Sequence, residues 1–457
     1  MLLSKAFERF AEKSPVAVIV RGVLERAFDP DRLDDLFART AETGYTRDLF
    51  FSTVVRLLSE VVLGSAPSVH AAYQQSDEPI GVTVKAVYEK LQGIETSISA
   101  ELVRDSARQL APVIQAMRGQ ARTLLSGYRV RILDGNHLAG TEHRIACLRR
   151  LGAAALPGQS LVVLDPQLML MTDVVPCEDG HAQERSLFDQ ILPLVQAGDL
   201  WIQDRNFCTT GLVFGIAERE ACFLVRQHAS TLHWQLAGKR KACGRIETGR
   251  VYEQTMRLEN PTSGEILLAR RVTVALDEPT RDGETEIHLV TNLPPADASA
   301  RQVARLYARR WTIEKAFQDL TVALVCELNT LGYPRAALFG FCLALAAYNA
   351  VSLVKASLRA KHGQEKVEQE ISWYYVCLHV WRMYAGMMVA IPAEKWAIFR
   401  RLTNRELARV LLDLAGKMQW RQFRKHPRGP KKPQPKKING AKTKHVSTAR
   451  ILAARSP

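Results

Sequence analysis

Several features that would assign this chain to other classes of protein are missing from its sequence. The first sixteen residues carry five charged side chains and therefore lack the apolar stretch of a secretory signal peptide. The eight cysteines form no C-x-x-C pair and no compact framework, so reduced thiols in a cytosolic protein are the simplest interpretation. No internal repeat is visible along the chain, which argues against a repeat architecture.

Long apolar runs are also nearly absent. Only residues 336–354 are free of charge over a length that approaches a membrane span, which needs roughly 20 apolar residues. This segment also contains Gly340, Tyr348, Asn349 and Ser352. We therefore predict a buried core helix here rather than a membrane helix, and no membrane partner.

Acidic residues are missing from the C-terminal segment 421–457, which holds twelve basic ones. The whole chain has a net charge of +15, but outside this segment 50 basic residues face 47 acidic ones, a net charge of only +3. The segment is rich in proline and lysine and cannot bury a core, so we predict a disordered basic tail. Its charge would attract a polyanion without regard to sequence, although a solvated tail with no partner is the alternative. The DNA-binding candidates in it are Lys431, Lys432, Lys436 and Lys437.

The rest of the composition is that of an ordinary globular protein of two or three domains, with 47% hydrophobic and 24% charged residues. Helical periodicity dominates the start of the chain, and short β-branched runs begin after Tyr128. We predict a helical N-terminal region (1–127), the first part of a core (128–221), an inserted β-rich block (222–296), the second part of the core (297–360), a helical C-terminal region (361–420) and the basic tail (421–457).

Two acidic residues stand where predicted strands end. Asp134 follows the run 130–133, and Asp204 follows the run 200–203. In open α/β sheets, ligand sites gather at such strand ends. The order of strand, hairpin, helix and strand around them predicts a mixed sheet with helices packed on it, an α/β or mixed α+β fold.

A third acid, Glu314, lies within a predicted helix. This helix begins at the capping box Ser299-x-x-Gln302 and runs toward Leu324. Arg310 precedes Glu314 by one helical turn. An arginine at this position suits the binding of a phosphate beside a metal-bound acid. The alternative is a surface helix with ordinary arginines. The helical spacing predicts one shared face for Tyr307, Arg310, Trp311, Glu314, Gln318 and Thr321.

Three converging carboxylates would have a definite chemical use. Mg²⁺ takes oxygen ligands and is typically completed by substrate phosphates. Two such ions roughly 3.5–4 Å apart can activate the attacking oxygen and stabilise the leaving oxygen of a phosphoryl transfer. For any single acid, however, a solvated surface charge or a turn residue is the alternative.

The motifs around these acids resemble those of a known family. The run Tyr307-x-x-Arg310-x-x-x-Glu314 resembles the signature of DDE transposases of the IS-four type, which bacterial insertion sequences encode. Further stretches that are similar to this family are Leu133-Asp134-Gly135-Asn136, Asp204-Arg205-Asn206-Phe207, Thr291-Asn292-Leu293-Pro294 and, near the N-terminus, Gly44-Tyr45-Thr46-Arg47. The resemblance extends over about residues 30–350.

The resemblance implies an RNase-H-like catalytic core with the β-rich block inserted before the last acid. It implies that Asp134, Asp204 and Glu314 are catalytic ligands of Mg²⁺, with Mn²⁺ as a substitute. It further implies cleavage at the ends of an insertion sequence followed by strand transfer into target DNA. The expected partners are double-stranded DNA, with terminal inverted repeats contacted in part by the N-terminal region, and a second copy of the chain in a synaptic complex.

The resemblance also suggests particular DNA contacts, namely Tyr307, Arg310 and Arg205. Some relatives hold a flipped base with a tryptophan of the inserted block, where this chain has Trp234, although a packing role is the alternative. We expect such a protein in the bacterial cytoplasm, associated with the nucleoid.

One position departs from the family pattern, which has a lysine seven residues after the glutamate, where this chain has Thr321. Lys315 points about 100° away around the helix and is a poor substitute. Two other functions therefore stay open, a non-catalytic DNA-binding protein derived from a transposase and an RNase-H-like nuclease.

Two further patterns are weaker signals. The pairs His143 with Cys147 and Cys177 with His181 have helical spacing that could bind zinc, but no compact four-ligand pattern accompanies them. An aromatic run could stack on nucleic-acid bases, although helix packing is the simpler interpretation. This run comprises Trp373, Tyr374, Tyr375, Trp381 and Tyr384.

Overall fold

The computed structural model describes residues 3–43, 48–76, 79–280, 282–426, 429 and 445–454. The Gly44–Arg47 stretch and the four tail lysines named above lie outside the described residues. The strands are β1 (Arg129–His137), β2 (Ala154–Leu156), β3 (Gln159–Asp165), β4 (Leu170–Cys177), β5 (Asp199–Gln203), β6 (Cys222–Arg226), β7 (His233–Ile246), β8 (Gly249–Glu259), β9 (Ile266–Leu276), β10 (Glu286–Thr291) and β11 (His445–Ser447).

Helices occupy most of the remaining described residues. They are α1 (Glu8–Lys13), α2 (Pro15–Ala27), α3 (Pro30–Thr40), α4 (Phe51–Val62), α5 (Val69–Gln74), α6 (Val84–Gly93), α7 (Thr96–Met117), α8 (Phe188–Ile191), α9 (Thr210–Ala217), α10 (Ala300–Ala308), α11 (Trp311–Ala323), α12 (Pro334–His362), α13 (Gln364–Glu370), α14 (Trp373–Ala390), α15 (Ala393–Trp396), α16 (Ile398–Arg401), α17 (Asn404–Gly416) and α18 (Thr448–Ala453). The mixed α+β class predicted from the sequence is confirmed.

A single large sheet organises the centre of the protein. Its strand order is β4-β3-β1-β5-β6-β10-β9-β8-β7. Strands β4, β3 and β1 are antiparallel to one another, whereas β1, β5 and β6 run parallel. The parallel strands need crossover connections, and short helices, including α8 before β5 and α9 before β6, provide them.

Both faces of the sheet are covered, so its central strands alternate between two hydrophobic cores. On β1, Ile132 packs into the core shared with the long helices, and Leu133 packs into the core under α8 and α9. On β5, Ile202 and Trp201 divide in the same way. Such double coverage explains why every residue of β3 is buried.

The strands of the predicted β-rich block continue the same sheet. Strand β10 joins β6 on one side and β9 on the other, and β8 and β7 follow. Strand β6 pairs in parallel with β5, so it belongs with the core and not with a block that begins at residue 222. Pairing with β10 satisfies the backbone hydrogen-bonding groups on the side of β6 that β5 does not cover.

The N-terminal and C-terminal helices form one body around α12, which packs on α2, α4, α7 and α17. Helix α12 is long and apolar enough to cross a membrane by length and composition, yet its most apolar window is entirely buried in the protein. Asn349 anchors it by accepting from the Met171 N–H at 2.7 Å and donating to the Met171 carbonyl at 2.9 Å. Both observations favour the predicted core helix.

Part of the predicted disordered tail is ordered. Strand β11 pairs in parallel with β2, and α18 follows it directly. In this segment, Arg450 Nε donates to Asp179 Oδ2 at 2.7 Å. A hydrogen bond of 2.8 Å connects His445 Nδ1 and His181 Nε2. Backbone pairing with β2 orders this part of the chain, so the prediction of disorder is wrong for residues 445–454. It is also wrong for residues 421–426, where Phe423 is buried and Arg424 forms a β-bridge with Ile371.

The helix that carries Glu314 is also different from the prediction. The capping box at Ser299 is confirmed, but the helix is interrupted between α10 and α11, at Arg309 and Arg310. The amide groups there bond to carbonyls three residues back, as Arg310 N–H does to Tyr307 at 2.9 Å. This tighter turn rotates the second half of the helix, so the six predicted positions do not share one face.

Candidate active site

The sheet register brings the first two acids together. In the parallel pair of β1 and β5, Leu133 lies opposite Gln203. Asp134 is the next residue on one strand and Asp204 follows the other, so both carboxylates stand at the same position across neighbouring strands. Asp204 caps the short helix Arg205–Phe207 by accepting from the Asn206 N–H at 2.6 Å.

Arg310 joins the third acid to the first. Its Nη1 lies 3.5 Å from Asp134 Oδ2, and its Nη2 lies 2.6 Å from Glu314 Oε1. The Arg310 side chain is only 12% exposed, which keeps water from screening these contacts. Its Nε has no hydrogen-bond partner among the described residues, so the guanidinium retains one donor for another group.

The pKa of the Asp134 carboxyl is raised above its ordinary value. Burial raises its pKa to about 7, Arg310 opposes this rise, and the nearby charges of Asp204 and Glu314 add to it. Because Coulomb interactions decay with distance, these causes show that the three predicted acids share one electrostatic environment.

A fourth acid, Glu184, lies at this site and was missed in the sequence. It belongs to the 3₁₀ helix Glu184–Leu187 that follows β4. Burial, followed by the charge of Asp204, raises the pKa of Glu184. Its carboxylate accepts from Asn206 Nδ2 at 3.4 Å.

Gly135 makes room for this carboxylate. A Cβ atom at Gly135 would stand 1.9 Å from Glu184 Oε1, which no side chain could tolerate without displacement. No local pattern marks Glu184 among 47 acidic residues. The only available signal was the glycine directly after Asp134, whose missing side chain indicates a close approach.

The acids suit a hard divalent cation in their chemistry, because carboxylate oxygens are the ligands that Mg²⁺ prefers. No group of three or more His, Cys, Asp or Glu side chains is arranged to hold a metal ion, however, within the part of the chain that the structure describes. The guanidinium of Arg310 contacts Asp134 and Glu314 and provides compensating charge there.

Unpartnered polar atoms around the acids fit a further polar group. Asn136 Nδ2, two residues from Asp134 on the same face of β1, is buried without a hydrogen-bond partner among the described residues. Leaving a buried donor unpaired costs about 1–3 kcal/mol. Together with the free Nε of Arg310, this donor suits a ligand that carries oxygen atoms.

The other predicted contacts are distributed around this centre. Tyr307 is partly buried next to Arg310, and burial raises its pKa to about 12, so it stays a neutral phenol. Arg205 is exposed and lies 3.6 Å from Glu284. Trp234 on β7 is half-buried, and the Arg271 guanidinium lies 5.4 Å from its ring centre. Strand β7 is at the edge of the large sheet, several strands away from β1 and β5, which precede the first two acids or carry them.

Comparison with known proteins shows what this part of the chain is similar to. Residues 125–350 match the family model described as the transposase DDE domain, and all three predicted acids fall within that range. This stretch is similar to transposase DDE domains. Its strands β1 and β5 and its helix α11 hold the acids described above.

Two curated proteins of Escherichia coli are similar to this chain. They are the transposase for insertion sequence element IS421 and the InsL protein of insertion sequence element IS186A from strain K12, each 25% identical to it. The match covers 46% of this chain and 62% of each relative, so it spans less than two thirds of their length.

A solved structure of piggyBac transposase, in a synaptic complex with hairpin DNA, is also similar. The sequence identity is 10%, the TM-score is 0.37, and the match covers 86% of this chain and 82% of the other. A score at this level does not establish a common fold.

Proposed function

We propose that this protein is a DNA transposase of the IS-four type, which cleaves phosphodiester bonds at the ends of an insertion sequence and joins them to target DNA. The observation that carries the proposal is the contact of Arg310 with both Asp134 and Glu314, beside Asp204, within a transposase DDE domain. An acid cluster with an arginine at its centre suits a reaction on phosphate, because guanidinium groups bind phosphate oxygens in pairs.

Asp134, Asp204 and Glu314 are the residues that would hold Mg²⁺ or Mn²⁺. The chemistry supplied by such a cation, when bound, is activation of the attacking oxygen and stabilisation of the leaving oxygen. Arg310 neutralises the acids while no cation is bound and has a free Nε donor for a phosphate oxygen. Burial raises the pKa of Asp134, and its carboxyl must release its proton before it serves as a ligand.

The arrangement of the first five strands of the large sheet supports the RNase-H-like core that the sequence motifs imply. Three antiparallel strands are followed by two parallel ones, and the first two acids lie at adjacent strands in its centre. The proposed partners are the terminal inverted repeats and target DNA, with a second copy of the chain in the synapse. The proposed location is the bacterial cytoplasm at the nucleoid.

A DNA-binding protein without catalytic activity is the second candidate, and Thr321 is the observation that favours it. Threonine is uncharged, so this chain presents no charge to DNA where the family has a lysine. The Thr321 hydroxyl donates back to the Gln318 carbonyl at 2.9 Å. Lys315 does not replace that lysine, because it lines a cleft on another face of α11.

The test is a cleavage and joining assay on DNA that carries the element's inverted repeats, with Mg²⁺ or Mn²⁺ present. We expect nicked and joined products from the wild-type protein and none from Asp134→Asn, with DNA binding retained. Asp413→Asn is the matched control, because this aspartate is exposed on α17. Strand transfer by Asp134→Asn would remove Asp134 from the site, whereas cutting without joining would favour a nuclease.

A further inference from the structure

A large cleft lies along α11, on a different face of the helix from Glu314. It has a volume of about 1250 Å³ and is bordered by α11, α13 and α14. Small-molecule sites commonly have volumes of about 300–1,000 Å³, so this cleft has room for a segment of a polymer. On α11 it is lined by Trp311, Lys315 and Asp319, whereas Glu314 is not among its lining residues.

Two aromatic rings stand open to solvent in this cleft. Trp311 is 62% exposed and Tyr374 is 57% exposed, which is unusual for side chains of this size. Trp311 is the residue directly after Arg310, so the cleft begins next to the acid cluster. Tyr374 belongs to the aromatic run noted in the sequence, and its exposure contradicts the interpretation that this residue only packs between helices.

Positive charge dominates the lining. Six basic residues and three acidic ones border the cleft. Arg122, Arg309 and Lys315 are exposed and form no ion pair with other described residues. The charge of Lys355 is already compensated, because its Nζ contacts Asp319 at 2.6 Å.

One buried group in the wall of the cleft has an unpartnered donor. Arg359 is 7% exposed, and its Nε donates to the Gly119 carbonyl at 3.0 Å. Its Nη2 is buried without a hydrogen-bond partner among the described residues. A buried charged donor left unpaired is costly, so a guanidinium in this position indicates an acceptor that enters from the cleft.

We propose that this cleft binds an unpaired segment of a DNA strand, with bases stacked on Trp311 and Tyr374 and phosphates held by Arg309, Lys315 and Arg359. Exposed aromatic rings and cations are the two elements of a site for single-stranded nucleic acid. A duplex does not fit this chemistry, because its base faces are already stacked. The inference rests on the proposed transposase function and assigns the separated strand a position next to the acids.

The test measures binding of a fluorescein-labelled oligothymidylate of about twelve nucleotides in the absence of divalent metal. We expect Tyr374→Ala to weaken binding about tenfold, a typical loss for one stacked base. Tyr333→Ala is the matched control, since Tyr333 is 37% exposed but does not line the cleft. Circular dichroism of both variants establishes that they are folded.

An abasic strand of the same length separates stacking from charge. Tyr374→Ala is expected to leave binding of the abasic strand unchanged, whereas Lys315→Ala weakens binding of both strands and lowers the salt slope by about 0.7. Equal affinity of wild type and Tyr374→Ala for oligothymidylate would overturn the proposal. Competition by polyglutamate as effective as by DNA would also overturn it and indicate an acidic peptide.

The proposal for the cleft and the proposal for the reaction can each fail without the other. Cleavage of inverted-repeat DNA without oligothymidylate binding would contradict the cleft proposal alone. Binding of oligothymidylate that depends on Tyr374, in a protein that does not cleave, would contradict the transposase proposal and leave the cleft as a site for single strands.

Discussion

Gly135 lies against Glu184 so closely that a Cβ atom on the glycine would stand 1.9 Å from the carboxylate oxygen Oε1. This contact joins β1, which carries Asp134, to an acid that the sequence motifs do not include. It also predicts which small substitution the site cannot tolerate.

We expect Gly135→Ala to displace Glu184 and to lower cleavage of inverted-repeat DNA at least tenfold. Because the atoms that must move belong to the flexible side chain of Glu184, we expect little change in the unfolding free energy. The matched control is Gly386→Ala in α14, where a Cβ atom meets nothing within 4 Å. That substitution is expected to stabilise the protein by about 0.5–1 kcal/mol in a denaturation experiment. A fully active Gly135→Ala protein would show that Glu184 has no part in the site.

The raised pKa of Asp134 predicts how stability depends on pH. The folded protein retains the Asp134 proton up to about pH 7, while the unfolded chain releases it near the ordinary value of 3.8. Between these values the native state binds more protons, so this residue lowers the unfolding free energy as the pH rises. The change is at most about 4 kcal/mol.

Asp134→Asn removes this dependence. We expect the variant to gain stability relative to the wild type as the pH increases from 5 to 8, measured by denaturant unfolding at each pH. Asp413→Asn, at an exposed aspartate, is expected to show no such trend. A constant difference between wild type and Asp134→Asn across this range would contradict the raised pKa.

Arg310→Lys tests the paired contact with Asp134 and Glu314. A lysine ammonium is a point charge and cannot contact both carboxylates through a planar fork. We expect at least a tenfold loss of cleavage and a further rise in the pKa of Asp134, because the charge that opposes the rise is displaced. Arg301→Lys, on the exposed side of α10, serves as the control. Equal activity of the Arg310→Lys and Arg301→Lys proteins would mean that charge alone suffices at Arg310.

Thr321→Lys restores the residue type that the family motif has seven positions after the glutamate. Because Thr321 is exposed, the change in unfolding free energy should stay within about 0.5 kcal/mol. We expect tighter binding of inverted-repeat DNA, with a salt slope steeper by about 0.9 for one added phosphate contact. Thr262→Lys, in the turn between β8 and β9, controls for added charge. The same gain in both variants would exclude a specific contact at position 321.

The tail lysines are best tested by substitution. Deleting residues 421–457 would remove β11 and unpair β2, so a loss of binding would have two causes. Replacing Lys431, Lys432, Lys436 and Lys437 with glutamine removes charge alone, and we expect weaker DNA binding with a less steep salt dependence. Arginine at the same positions should preserve both properties. Unchanged affinity of the glutamine variant at low salt would show that these lysines do not contact DNA.

Much of the fold around the first two acids could be predicted, because it depends on local patterns. A short apolar run followed by aspartate is visible at Asp134 and at Asp204, and both predicted strands exist as β1 and β5. The prediction that the first strand ends at Asp134 is wrong, because β1 continues to His137 through its pairing with β3. The capping box at Ser299 was equally visible, since it involves residues only three positions apart. The interruption of the helix at Arg310 was not, because arginine and its neighbours are compatible with a continuous helix.

Glu184 and the cleft illustrate the limit of local patterns. Glu184 meets Gly135 and Asp204 only because β4 returns beside β3 and delivers the following helix to the ends of β1 and β5. Tyr374 and Trp311 line one cleft although 63 positions separate them in the chain. Contacts of this kind depend on how helices and strands pack, which no spacing in the sequence encodes.

The acids Asp134, Asp204 and Glu314, the basic character of the C-terminal segment and the apolar character of α12 were all determined by the order of amino acids. Tertiary structure decided which charges interact. It brought Arg310 between two acids, added Glu184 to them, and paired β11 of the basic segment with β2. The physical reason is distance, since burial and Coulomb interaction depend on separations in space that a sequence does not contain.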